Sequence, residues 1–380
     1  MEKVTVACIQ QRMSIPATHE EFEAEARRFL RQAQARGARL TIFPELAGLM
    51  LAPPLISGLK RSFIHRADRG RRPNAGFFSR RLGRLAGFTG GAVGGGFRGS
   101  VERLLKKNSD LLRDACLGIL GRLAREYGTA LVAGSLYLHD AETDTVRNRV
   151  YLLDQDGEVL GYQDKLNLSP DERTLAAPGT ALTAFQTRFG RVGVLIGRDA
   201  MYPELARLLA LQGAELLVGV AATPGGAQAA ALRSALALRA EENQVFAAAS
   251  FLLGPNYLGL DSGEDYFGQS ALLAPISLTV RGDGLLVQAG TDRTEGLIAA
   301  ELDAAALHAL WETGRFRPRR EMNLGNLGPV LAELYRQGLT LEQAIEQRIA
   351  GPVEPLPEPP AARPEAVPPW PAEEEQQEGR

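Results

Sequence analysis

Three separated positions set the chemical question. Arg191–Glu204 reads RVGVLIGRDAMYPE, an apolar strand over 191–196 that runs into a sharp turn at Gly197–Ala200. Pro203 falls in the first turn of a helix predicted over Tyr202–Gln212, where its missing N–H is not needed. A turn between a strand end and a helix start lies at the carboxyl end of a sheet, where α/β proteins bind ligands, and it is the place to look for a nucleophile. Gly197 stands there, with no side chain to attack with. Arg198, Asp199 and Tyr202, on and just after the turn, are the candidates for ligand binding. A guanidinium in such a turn either faces solvent or takes an anion. The second position is Glu45, which follows the apolar strand Leu40–Phe43 and is either a solvated loop residue or a site residue. The third is Lys165, alone in the loop-like stretch Gly161–Pro170, where a single lysine is commonly a surface residue.

Other chemistries find little support in the residues. His19, His65, His139 and His308 are scattered without metal-ligand spacing, so no metal is expected. Gly90–Gly99 is glycine-rich but lacks a following Gly-Lys-Ser/Thr, so it does not match a phosphate-binding loop, and no cofactor is expected. Cys8 and Cys116 are too few for a disulfide framework and fall in an apolar strand and a helix, which reads as two buried free thiols. With no signal-peptide pattern and no apolar run of about 20 residues, a cytoplasmic protein is the expectation.

The elements that must position these residues follow from periodicity. Val4–Ile9 is a strand. Thr18 caps a helix with Glu21 three residues on, and Phe22, Ala26, Phe29, Leu30 and Ala33 recur at helical spacing up to the stop at Gly37. Val101–Tyr127 reads as a long helix, Thr129–Tyr137 and Arg147–Leu153 as strands, and Leu182–Thr187 and Val192–Ile196 as a strand pair. Ala214–Val220 is a strand, Ala227–Asn243 a helix, and Gln244–Ser250 a strand. Strands at Gly268–Ala274, Gly284–Ala289 and Gly296–Leu302 and a helix at Asp303–Thr313 complete the series. Strands alternating with helices, then a run of strands, predict a layered α/β sandwich.

Composition marks two departures from that frame. Lys60–Lys107 carries thirteen Lys/Arg against Asp68 and Glu102, with phenylalanines interleaved, while the whole chain has a formal charge of -2. Such a segment is either a flexible solvated insertion or a surface for an anionic membrane, nucleic acid or acidic protein. Leu327–Arg336 reads as a helix within a C-terminal extension over 321–350. From Gly351 on, nine prolines and seven glutamates fill thirty residues, the composition of a disordered acidic tail over 351–380.

Phe43-Pro44-Glu45-Leu46, the Lys-x-x-Leu loop at Lys165 and Asp199-Ala200-Met201-Tyr202-Pro203-Glu204, in this order, resemble the nitrilase superfamily of carbon–nitrogen hydrolases. Pro178-Gly179, Arg239–Asn243, Phe267–Ser270 and Glu301-Leu302-Asp303 add to the likeness, which spans roughly Val4 to Arg320. The resemblance implies an αββα sandwich over 1–320, four-layered when dimerised, and a homodimer docked around the turn. It implies Glu45 as general base, Lys165 as stabiliser of the oxyanion, and a cysteine nucleophile where this chain has Gly197. A second supporting glutamate would align with Leu138, with Glu142 nearby.

Family chemistry is hydrolysis of a non-peptide C–N bond, with small amides, carbamoyl compounds, nitriles and acylated amines as candidate ligands. Without the thiol the covalent route is closed. Three readings follow: a catalytically dead domain that binds a ligand, a slow hydrolase in which Glu45 activates water, and an interaction module docking through the basic insertion. Convergence of Glu45 and Lys165 under Gly197 in a closed pocket favours the first two.

Overall fold

A computed structural model describes residues 3–55 and 94–321. The chain divides into Met1–Arg319 and Arg320–Arg380. The basic segment between positions 60 and 93, the helix expected at Leu327–Arg336 and the acidic tail lie outside the described residues.

One mixed sheet of twelve strands forms the frame. Its first half contains β1 (Lys3–Arg12), β2 (Leu40–Ile42), β3 (Ala130–Asp140), β4 (Thr145–Leu153) and β5 (Val159–Asp164). Its second half contains β6 (Ala184–Thr187), β7 (Gly190–Ile196), β8 (Leu216–Ala221) and β9 (Phe246–Leu253). Three more strands, β10 (Ala271–Leu273), β11 (Leu285–Gln288) and β12 (Gly296–Asp303), attach at β9 and β1. The halves join where Gln11 and Arg12 pair in parallel with Leu252 and Leu253. Thr223–Pro224 and Tyr266–Phe267 make a separate antiparallel ribbon.

Alternation along the strands sends one set of side chains inward between the halves. Val4, Val6, Cys8, Leu40 and Ile42 there meet Val192, Val194, Ile196, Leu216, Val218 and Val220. The opposite face of the first half packs under α1 (His19–Ala35) and α2 (Gly94–Tyr127), through Phe22, Phe29, Leu30, Leu120 and Leu123. The outer face of the second half packs under α3 (Pro203–Leu211) and α4 (Gly226–Asn243), through Leu209, Leu232 and Leu236. The layers run αββα, as expected. A further helix, α5 (Ala304–Thr313), starts at Asp303, whose carboxylate accepts the Ala306 N–H.

Local expectations hold with adjustments. All five apolar positions named for α1 are buried, and Thr18 caps it by accepting the Glu21 N–H at 3.3 Å. The Glu21 carboxylate takes the Ala17 N–H, one residue short of a reciprocal capping box. α2 begins at Gly94 rather than Val101, and its backbone leaves helical geometry at Asn108. Pro203 opens α3. The longest strand the sequence reading missed is β5, part of which it took as loop. Val159, Leu160 and Tyr162 are exposed on this edge strand, so no alternating buried face marks it. A cross-strand pair supports it instead: Arg149 on β4 makes a two-point ion pair with Asp164 at 2.7 and 2.9 Å and stacks on Tyr162. No helix among the described residues is long and apolar enough to cross a membrane.

Gly134 shows how tightly the Glu45 segment is seated. The β3–β4 register shifts between Val132 and Ser135, and Gly134 has φ +70°. An added Cβ would lie 2.6 Å from the Pro44 carbonyl oxygen and 2.7 Å from Ala47 Cβ. Gly134→Ala is expected to cost about 3 kcal/mol, from left-handed strain and overpacking against backbone that cannot yield cheaply. Urea unfolding checks this, and a loss under about 1 kcal/mol would show that the Pro44–Ala47 segment can slide aside.

Candidate active site

Glu45, Gly197 and Ala222 each follow the carboxyl end of a strand, β2, β7 and β8. Lys165 is the first residue after β5. The two halves of the sheet thus bring one carboxylate and one ammonium under the turn. Glu45 is 2% exposed and Lys165 4%. The Lys165 Nζ donates to Glu45 Oε1 at 2.9 Å. The Asn148 amide on β4 donates to the same oxygen at 3.0 Å, and the Ala222 N–H donates to Oε2 at 2.9 Å. Leu46, just after Glu45, has φ +63°, and its N–H is held by Ser135 Oγ at 2.8 Å. A left-handed leucine is an uncommon conformation, maintained here by the packing around it.

A second carboxylate does reach the cluster, but not where the alignment placed it. Leu138 is buried in the apolar core, and Glu142 is exposed with its N–H turned to Asp140. Glu172 fills the role of Lys165's second partner, accepting from Nζ at 2.6 Å. It is fixed by reciprocal bonds with Ser169: the Ser169 N–H reaches Glu172 Oε2 at 2.9 Å, and the Glu172 N–H reaches Ser169 Oγ at 3.0 Å. Ser169-Pro170-Asp171-Glu172 is the Ser-x-x-Glu capping signature, and that signal could have drawn attention to Glu172.

The buried cluster holds two carboxylates and one ammonium. Burial pushes the Glu45 carboxyl up, opposed by Lys165 and the Ala222 N–H and reinforced by Glu172. Burial alone would lower Lys165, but Glu45 and Glu172 more than reverse it and hold the ammonium charged. Tyr137 and Tyr266 are likewise pushed well up, by burial and by the two glutamates.

The raised Glu45 fixes the sign of one pH effect. The folded chain holds this proton more tightly than the unfolded chain, so stability falls as pH rises from about 4.5 through the folded value. Glu45→Gln removes that titration. Its Nε2 facing the Ala222 N–H costs a hydrogen bond, but that cost does not depend on pH. The stability difference, wild type minus Glu45→Gln, is therefore expected to shrink between about pH 4.5 and 8. A flat or rising difference in urea titrations would show that burial does not raise the Glu45 carboxyl.

Gly197 has φ +51°, and its hydrogen points into the cluster. A Cβ there would lie 2.8 Å from Glu45 Oε2, 3.0 Å from Lys165 Nζ and 3.3 Å from Glu45 Oε1. Asp199, expected to bind ligand, belongs to the scaffold instead. It is buried and accepts from the Leu166 and Asn167 N–H groups at 3.1 and 2.7 Å and from the Asn167 amide at 3.0 Å. It thereby ties the turn to the loop that follows Lys165. Arg198 and Tyr202 do line a cavity of about 320 Å³, together with Glu45, Lys165 and Gly197. Met201, Pro224, Ala231 and Leu232 supply its apolar wall, and Gln228 and Asp261 add polar groups. Cys8 and Cys116 are fully buried outside this cavity, and burial pushes both thiols up, Cys116 to about 12. A cluster of His, Cys, Asp or Glu fit for a metal is absent among the described residues.

A pocket whose floor pairs a buried carboxylate with a fixed ammonium can remove a proton from one group while stabilising negative charge on another. Comparison with known proteins identifies the family. Residues 5–310 match the carbon-nitrogen hydrolase family. The chain is 28% identical over 184 residues to a probable nitrilase of Schizosaccharomyces pombe, covering 48% of this chain and 63% of that protein, under two thirds of its length. It is 30% identical over 221 residues to an (R)-stereoselective amidase of Pseudomonas sp, covering 58% of this chain and 70% of that one. Among solved structures, a mutant amidase from Nesterenkonia sp. AN1, with acrylamide added at its active-site cysteine, matches with a TM-score of 0.58 at 21% identity. That match covers 88% of this chain and 100% of the amidase. With its αββα layers and this family match over most of its length, the chain belongs to the carbon–nitrogen hydrolase family.

Proposed function

We propose that the chain holds a small amide, carbamoyl compound or nitrile above Glu45 and Lys165, and that it does not hydrolyse its ligand through a thioester. The support is the position of Gly197. The point where a side chain would begin lies 2.8 Å from Glu45 Oε2 and 3.0 Å from Lys165 Nζ, and the chain has no sulfur there. In the Nesterenkonia amidase the active-site cysteine takes up acrylamide. The same chemistry here would need a thiol on this turn, and Cys8 and Cys116 are packed into other layers. Glu45 is the proposed base and Lys165 the proposed stabiliser of developing negative charge.

A second reading rests on the same distances. An oxygen at the missing Cβ position could donate to Glu45 and accept from Lys165, so a water there is within reach of a general base. Ammonia release from a panel of amides, N-carbamoyl compounds and nitriles separates the two. The wild type is expected to be silent and Gly197→Cys to release ammonia. Wild-type turnover abolished by Glu45→Gln would overturn the first reading in favour of the second.

A further inference from the structure

Two charged side chains in the cavity wall have no part in the cluster beneath it. Arg198 is exposed and makes no hydrogen bond or ion pair among the described residues. The Asp261 carboxylate also makes none, and the two do not pair with each other. Asp261 has φ +47°, a conformation few non-glycine residues adopt. Its N–H donates to Asp171 Oδ2 at 2.8 Å, which anchors the backbone in that form. A cation and an anion therefore line one cavity, whose wall also carries the apolar side chains of Met201, Pro224, Ala231 and Leu232.

We infer that Arg198 and Asp261 select a zwitterionic ligand, a small amide with a carboxylate for Arg198 and an ammonium for Asp261. This rests on the amide-binding reading of the pocket. An uncharged amide leaves both wall charges unmet. An amide carrying only a carboxylate satisfies Arg198 but approaches a floor with two carboxylates and one ammonium, which opposes further negative charge. An amide carrying only an ammonium leaves Arg198 facing water. A cavity of about 320 Å³ suits a ligand of amino-acid-amide size.

Calorimetric titration of the full-length chain with four related amides tests this. Glutamine carries both charges, glutaramate only the carboxylate, 4-aminobutanamide only the ammonium, and butanamide neither. Glutamine is expected to bind tightest, each matched charge contributing roughly tenfold, the lower end for charge-assisted bonds at a partly open site. Arg198→Gln should bring glutamine to the affinity of 4-aminobutanamide and leave 4-aminobutanamide unchanged. Asp261→Asn should bring glutamine to the affinity of glutaramate and leave glutaramate unchanged. Equal binding of all four amides, or variants that leave the ranking intact, overturns the charge selection alone. Failure of every amide to bind overturns the amide reading, and the selection with it.

Discussion

Lys165→Met is expected to destabilise the folded chain by about 3–5 kcal/mol at pH 7, the range for removing one partner from a buried ion pair. The lysine is the only cation contacting Glu45 and Glu172 among the described residues, at 2.9 and 2.6 Å, and all three side chains are buried. Without it two carboxylates face each other in a medium that solvates neither. Protonation is the available relief. The loss should therefore be largest at neutral pH and shrink toward pH 4.5, as the carboxyls take up protons more tightly folded than unfolded. Adding Glu172→Gln to Lys165→Met leaves one buried carboxylate, with Asn148 and Ala222 still donating to it, and should recover part of the loss. Urea unfolding of the single and double variants at pH 4.5 and 7.5 provides the check. A pH-independent loss would mean that packing of the lysine stem, rather than charge, holds the site together.

Gly197→Cys is expected to gain ammonia release of at least about a thousandfold over the wild type, since removing the nucleophile of a catalytic unit commonly costs several orders of magnitude. The substitution has a structural cost. At φ +51° a non-glycine residue is strained by about 1–2 kcal/mol, and the new Cβ lies 2.8 Å from Glu45 Oε2. The Glu45 carboxylate must move a few tenths of an ångström while keeping its bonds to Asn148, Lys165 and Ala222. A drop of about 2 kcal/mol in folding stability is expected to accompany the activity. Gly197→Ala meets the same backbone cost without a thiol and should stay silent. A folded Gly197→Cys chain with no turnover across the panel would show that more than the nucleophile is missing.

What the sequence determined by itself was short-range. The strand, turn and Pro-led helix around Gly197 come from neighbouring residues whose φ preferences and hydrogen-bonding needs are met within a few positions. The same holds for the Thr18 cap and the five-residue buried stripe of α1. Glu45 and Lys165 were legible as candidates because each stands in a motif with a recognisable family order. Their meeting was not legible in the residues themselves, since 120 positions separate them and only the side-by-side order of β2, β3, β4 and β5 within the first half of the sheet closes that distance. Tertiary structure also decided what surrounds Glu45. Asn148 sits within a strand and Ala222 contributes only a backbone N–H, so neither carries a side-chain pattern that points to a site. β5 escaped detection because an edge strand with exposed apolar residues lacks a buried alternation, and its support comes from Arg149 across the ladder. Glu172 was placed by a capping exchange with Ser169 and by burial against Lys165. A local signal announced its turn, but only the packed fold decided that its carboxylate would face the ammonium, because burying a lysine requires enough opposite charge to keep it ionised.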